Sequence, residues 1–458
     1  MSNPRTAALN YAESNNQRFL TELEEFLKIP SISTDPDHKE DMERAANWIA
    51  DQFDNLDLDR IEIFKTEGHP VVYGEIKSNT QGAPTVLVYG HYDVQPAEPL
   101  DLWTTDAFEP VQRGDNLYAR GASDMKGQVM ATIKGLESVL SAGEVPINIK
   151  FLIEGEEEIG SPNLGAFISG HQDLLKCDFA LNPDTGMIAP DLPTITYALR
   201  GLAYFEVRID GPDHDLHSGT FGGVVHNPAQ ALCELIAGMH DEDGMVTLPG
   251  FYNKVRSISE EERSELSRLP MGDDFYLQKT GAPALWGENQ YSPVERTGAR
   301  PTLEVNGIYS GFIGEGSKTV LPAWAMAKIS TRLVLDQDPE EVHQQLVQYL
   351  ERNTPETVTF KVTSLVGSPA SISDQQSTGV EAMQSAMQQV WDKKPLFRRE
   401  GGSVPVVVLF MDLLEVDSVN CGFSLPDDNA HSPNEKLHLP TWNNGIDTII
   451  HFIYNLAE

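Results

Sequence analysis

A histidine and an aspartate two positions apart, His91 and Asp93, follow the apolar run Thr85-Val86-Leu87-Val88-Tyr89-Gly90. Side chains at i and i+2 of an extended chain share a face. The pair can therefore project together from the end of a buried strand, where open α/β sheets place their ligands. Four further segments carry matching chemistry: Asp124 in Ser123-Asp124-Met125-Lys126-Gly127, the triplet Glu156-Glu157-Glu158, Asp184 in Asn182-Pro183-Asp184-Thr185-Gly186, and His431 in Ala430-His431-Ser432. Two imidazoles and three or more carboxylates suit a pair of borderline divalent ions such as Zn²⁺ or Mn²⁺. One carboxylate can bridge two ions ~3.5–4 Å apart. Taken singly, Asp124 also fits the N-cap of the helix after it, and Asp184 fits a turn. Three adjacent carboxylates beside a strand end repel one another, which a cation relieves.

The elements that must hold these groups alternate in type. Apolar runs predict strands over 61–65, 71–76, 85–89, 147–153 and 179–181, and helical spacing covers 6–28, 38–55, 125–141 and 163–175. Each acidic cluster is expected to fall just after a strand, within the alternation of a βαβ sheet. From about 195 the pattern changes to strands at 195–199, 204–209, 302–309, 325–335 and 358–366, with helices at 227–239 and 339–352. The first two of these strands are expected to form a hairpin about Arg200-Gly201. Residues 250–300 show no order of this kind. After Gly367-Ser368-Pro369 the α/β pattern returns, with helices at 374–391 and 441–456 and a strand at 418–422. The fold class is α/β: a mostly parallel-sheet catalytic domain formed by 1–194 and 367–458, interrupted by an inserted α+β domain, 195–366.

Composition narrows the partners. At 458 residues the chain exceeds one ordinary core. Its 33 Lys and Arg against 69 Asp and Glu leave a net charge of −36, which repels nucleic acid and anionic membrane alike. No apolar run approaches the ~20 residues of a membrane span, and the polar start carries no export signal. Three scattered cysteines fit buried thiols in a reducing compartment, so a cytoplasmic location is expected.

Together, His91-x-Asp93, Ser123-Asp124-x-Lys126-Gly127, Glu157-Glu158-x-Gly160-Ser161, Asp184 and Ala430-His431-Ser432 resemble the motifs of a co-catalytic metallopeptidase family. This is the family of carnosinase-type dipeptidases, aminoacylase, acetylornithine deacetylase and succinyl-diaminopimelate desuccinylase, and the likeness runs over nearly the whole chain. It is strongest toward the cytosolic non-specific and carnosine dipeptidases, through His91-Tyr92-Asp93-Val94-Gln95-Pro96, Leu216-His217-Ser218-Gly219, Lys318-Thr319-Val320-Leu321-Pro322, Arg399-Glu400-Gly401-Gly402-Ser403 and His431-Ser432-Pro433-Asn434-Glu435.

The resemblance implies two divalent ions per subunit, Zn or Mn, with Asp124 bridging them. His91 and Asp184 would complete one ion site, and Glu158 and His431 the other. It makes Glu157 the general base, Asp93 the residue that orients His91, and His217 the oxyanion partner. Aligning the triplet on Gly160-Ser161 leaves Glu156 as the extra acid. The family also leads us to expect a cis peptide at Asp124–Met125. Arg332 matches the family's arginine for the substrate carboxylate, with Thr319, Gly402, Ser403 and His226 as further substrate-binding candidates. The inserted domain would be a lid and dimerisation domain, and His217 would act in trans in a homodimer. The implied activity is hydrolysis of dipeptides or short peptides with a free C-terminal carboxylate, a metal-bridged water being the nucleophile. An N-acyl-amino-acid deacylase would use the same centre with another pocket.

Overall fold

A computed structural model describes residues 3–402 and 404–458. The chain divides into two compact units, Met1–Tyr197 with Ser373–Phe397 and Pro405–Glu458, and Ala198–Ile372 with Arg398–Val404. The short stretch Arg398–Val404 thus groups with the second unit, whereas the sequence pattern assigned it to the returning α/β part. Among the described residues no helix is long and apolar enough to cross a membrane.

The first unit is built on a mixed sheet. Its strands run in the order Arg60–Phe64, Val71–Ile76, Asn148–Glu154, Thr85–His91, Phe179–Asn182, Ser418–Cys421 and Thr194–Leu199. The four strands from Asn148–Glu154 to Ser418–Cys421 are parallel, and those flanking them are antiparallel. The central strands are covered on both faces: Val86 to His91 and Ile149 to Glu154 are buried without interruption. Such continuous burial is why they read as near-continuous apolar runs rather than alternating ones, broken within Asn148–Glu154 by Lys150 alone.

Helix Lys126–Ala142 lies at the heart of this unit, buried at every position from Lys126 to Val139. It packs against Pro4–Leu27 on one side and Leu439–Asn455 on the other. Gly135 permits the second contact, since a Cβ there would sit 2.5 Å from Ile449 Cγ2. That packing fixes the start of the helix, and with it Asp124.

The second unit holds a four-stranded antiparallel sheet in the order Thr302–Ser310, Trp324–Leu333, Gly201–Asp210, Thr359–Ser368. Gly201–Asp210 alternates buried and half-buried positions, the signature of a sheet covered on one face. Phe205, Val207 and Ile329 pack there with Leu235 of helix Pro228–Ala237 and Leu346 of helix Pro339–Asn353.

The hairpin expected about Arg200-Gly201 does not form. Thr194–Leu199 is buried at all six positions and pairs with Ser418–Cys421, while Gly201–Asp210 is central to the other sheet. The two strands belong to different sheets, and Arg200-Gly201 is a junction rather than a turn. The helix expected over 163–175 is two pieces, Leu164–Gly170 and Gln172–Leu175. Residues 250–300 contain three short helices, Glu260–Leu266, Asp273–Thr280 and Pro293–Gly298.

Candidate metal centre

The parallel strands all point their C-terminal ends the same way, and the acidic and imidazole groups gather there. His91 ends its strand in register with Glu154, so Glu157 and Glu158 follow directly beside it on a short 3₁₀ turn. Asp184 stands two residues beyond Phe179–Asn182. Asp124 precedes helix Lys126–Ala142, whose N-cap is Met125, and the Asp124–Met125 peptide is cis, as expected. His431 sits in the loop after Ser418–Cys421, at φ 59°.

Asp124 faces both ways. Its Oδ1 lies 3.3 Å from His91 Nε2, and its Oδ2 lies 3.0 Å from His431 Nε2. His91 Nε2 is also 3.9 Å from Asp184, and His431 Nε2 is 3.1 Å from Glu158 Oε2. Two groups of potential ligand atoms result, His91–Asp124–Asp184 and Asp124–Glu158–His431, with the atoms of each within 4.8 Å of one another. Glu157 Oε2 approaches His91 Nε2 to 3.9 Å but belongs to neither group.

The arrangement fits divalent ions on its own evidence. His91 is fully buried, and its Nε2 makes no hydrogen bond. Its Nδ1 donates to the Asp93 carbonyl at 3.0 Å, which fixes the tautomer and leaves Nε2 as the free donor atom a cation would take. Burial would lower the His91 pKa, yet Asp124 and Asp93 drive it well above the usual value. Hydrogen bonds to Asp124 and Glu158 push His431 up to about 10. Burial and the Asp124 charge hold Asp184 well above the carboxylate range. Burial also lifts Glu157 to about 7, with Glu158 and Asp124 adding to the rise and His91 opposing it. So much negative charge in one cluster draws in protons, and a divalent cation answers the same demand.

The buried Asp93 carboxylate has a wider reach than the sequence suggested. It lies 3.4 Å from His91 Nδ1 and accepts the backbone N–H groups of Glu157, at 3.3 Å, and Glu158, at 3.0 Å. Glu156 is turned away: its carboxylate accepts from His69 N and from Asn163 Nδ2. Two residues escaped the sequence reading. Gln95 donates to Glu158 Oε2 at 2.8 Å, and Glu435 grips the backbone around Asp124. Both lie inside the His91–Pro96 and His431–Glu435 motifs, which was the available signal.

The remaining candidates lie in the second unit. His217 pairs with Val320 in a two-stranded ribbon, Ser218 N donates to Thr319 O, and His217 Nδ1 accepts from Gly219 N. These place His217 and Thr319 side by side. His226 Nδ1 is 2.7 Å from Thr357 Oγ1. Arg332, on strand Trp324–Leu333, lines a cavity of about 390 Å³ with Arg200, Trp286 and Glu304. Gly402 belongs to the Arg398–Val404 stretch, and Ser403 lies outside the described residues.

Comparison with known proteins agrees with this architecture. The Cys-Gly metallodipeptidase DUG1 of Candida albicans is 30% identical over 459 residues, spanning 95% of this chain and 94% of its own. The Beta-Ala-His dipeptidase of Homo sapiens is 31% identical over 398 residues, spanning 85% and 78%. Among solved structures, the M20 family metallo-carboxypeptidase Sso-CP2 from Sulfolobus solfataricus superposes with a TM-score of 0.85 at 33% identity, covering 96% of this chain and 99% of that one. The di-peptidase Dug1p from Saccharomyces cerevisiae gives 0.81 at 27%, covering 100% and 99%. Fold, site and likenesses together make the chain a metallopeptidase. It belongs to the family described as Peptidase family M20/M25/M40, whose model matches residues 87–455.

Proposed function

We propose that this chain is a dinuclear metal-dependent dipeptidase that hydrolyses the amide bond of dipeptides and short peptides with a free C-terminal carboxylate. The observation that carries the reading is the pair of ligand groups sharing Asp124, with Glu157 beside them and outside both. His91, Asp124 and Asp184 would hold one ion, and Asp124, Glu158 and His431 the other, each Zn²⁺ or Mn²⁺. Such ions, when bound, supply the Lewis acidity that makes water nucleophilic at neutral pH.

The protein groups do the rest. Glu157 takes a proton from the attacking water and returns it to the departing amine. Asp93 holds His91 from behind and fixes the backbone that aims Glu157. His217 stabilises the developing oxyanion. Arg332 takes the substrate carboxylate as a planar two-pronged donor, with Thr319, Gly402, Ser403 and His226 as further contacts.

His217 acts in a homodimer, on the partner's site. Trp324 and Arg332 stand eight residues apart on one strand, about 26 Å, and His217 pairs with Val320, four residues before Trp324. That distance is several times the length of a dipeptide, which supports His217 and Arg332 of different chains meeting on one substrate. We place the enzyme in the cytoplasm. The relatives named above, dipeptidases and a carboxypeptidase, favour peptides over N-acyl amino acids.

The test is a panel. Purified protein supplied with Zn²⁺ or Mn²⁺ should cleave small dipeptides such as Cys-Gly or β-Ala-His. Turnover confined to N-acetyl or N-succinyl amino acids would overturn the assignment.

A further inference from the structure

The loop that carries His431 is clasped at both ends to the segment that carries Asp124. At one end Glu435, fully buried, accepts four hydrogen bonds. Its Oε1 takes the backbone N–H groups of Ser123, at 2.9 Å, and of Asp124 itself, at 3.0 Å. Its Oε2 takes Gly121 N, at 2.9 Å, and Arg120 Nη1, at 2.7 Å. Ala119 N also donates to the Glu435 carbonyl at 3.1 Å. At the other end, buried Asp428 accepts Ser123 Oγ at 2.8 Å and Lys436 Nζ at 2.8 Å. Between the two clasps, Asn429, His431 and Asn434 adopt φ of 58°, 59° and 60°. Asn adopts that conformation readily, whereas His431 holds it at a cost that its surroundings must offset.

A buried carboxylate is a costly way to close a loop, and apolar packing would do it more cheaply. Here the amides of Gly121, Ser123 and Asp124 and the Arg120 guanidinium converge on it, and one of those amides belongs to the aspartate shared by both ligand groups. We propose that Glu435 is a positioning residue for the ion-binding centre: it locks Asp124 and His431 into one rigid pair and thereby sets the affinity of the Asp124–Glu158–His431 group. The His91–Asp124–Asp184 group depends on it less, because His91 and Asp184 are fixed at the ends of core strands. The inference rests on the two-ion reading above.

The discriminating variant is Glu435→Gln. An amide has one acceptor oxygen, so in either orientation its NH₂ faces two of the four donors. Metal-free protein is titrated with Zn²⁺ by calorimetry, with His431→Ala as the reference for which equivalent is which. Wild type should take up two ions. Glu435→Gln should lose roughly 10–100-fold in affinity at the equivalent that His431→Ala also weakens, the usual effect of removing a group behind a ligand, and keep the other. Its kcat should recover toward wild type at saturating Zn²⁺ with KM unchanged. Glu435→Asp, which keeps the charge, should show the same selective loss to a smaller degree.

Equal weakening of both equivalents, or no weakening of either, overturns the proposal. So does failure of both variants to fold, since the role would then be structural alone. Fewer than two ions in the wild type overturns the two-ion reading instead, a result the variants cannot mimic.

Discussion

At the scale of single residues, three neighbouring glutamates have three different fates. Glu156 is spent on His69 N and Asn163 and is 4% exposed. Glu157 faces His91, and Glu158 faces His431 and Gln95. This division was legible in the sequence only through the spacing to Gly160-Ser161, because three identical side chains carry no internal marker of which one points inward. It predicts that Glu157→Gln keeps both ions while kcat falls by several orders of magnitude. Glu156→Gln should leave the chemistry intact and cost stability through its lost partners. Metal analysis together with steady-state kinetics on both variants decides it; if Glu156→Gln abolishes turnover with metal retained, the roles are shifted by one.

At the scale of elements, the strands that end in the site were legible because burial on both faces leaves near-continuous apolar runs. The Arg200-Gly201 junction was not, because adjacent strands of similar composition gave no hint that they join different sheets. The short helices of 250–300 were missed for lack of length, although Ser292 and Glu295 form a capping box that the sequence displays. Helix Lys126–Ala142, which positions Asp124, allows two predictions. Gly135→Ala gains up to about 1 kcal/mol in helix propensity, but its Cβ meets Ile449 at 2.5 Å, so a net loss of about 1–3 kcal/mol is expected from denaturant unfolding. Glu137 is the second. Burial alone would raise its pKa, but Arg18 and Lys134 bind it and hold the carboxyl below the usual range. A lowered folded pKa contributes stability above the unfolded value of about 4.3 that is lost as pH falls through the folded one. Glu137→Gln should therefore unfold more readily than wild type at pH 7, with the gap narrowing below about pH 4. A gap that widens in acid would contradict the ion-pair account.

At the scale of the whole molecule, −36 charges repel one another. Added NaCl screens them over about 10 Å at 0.1 M and 3 Å at 1 M, so the melting temperature is expected to rise across that range. A flat or falling curve would mean the surface charge is already locally compensated. The proposed homodimer belongs to this scale too. Mixing inactive His217→Ala with inactive Glu157→Gln should restore part of the activity, because each mixed dimer then holds one site with both groups intact. No recovery despite confirmed subunit exchange would place His217 outside the partner's site.

The central claim is that strand ends far apart in the chain hold two cations through one shared aspartate. Elemental analysis of folded, active protein under saturating Zn²⁺ or Mn²⁺ tests it most directly, with Asp124→Ala measured alongside. The account predicts two ions per chain in the wild type and loss at both sites in the variant. One ion or none in active wild-type protein, or two retained without Asp124, would contradict it.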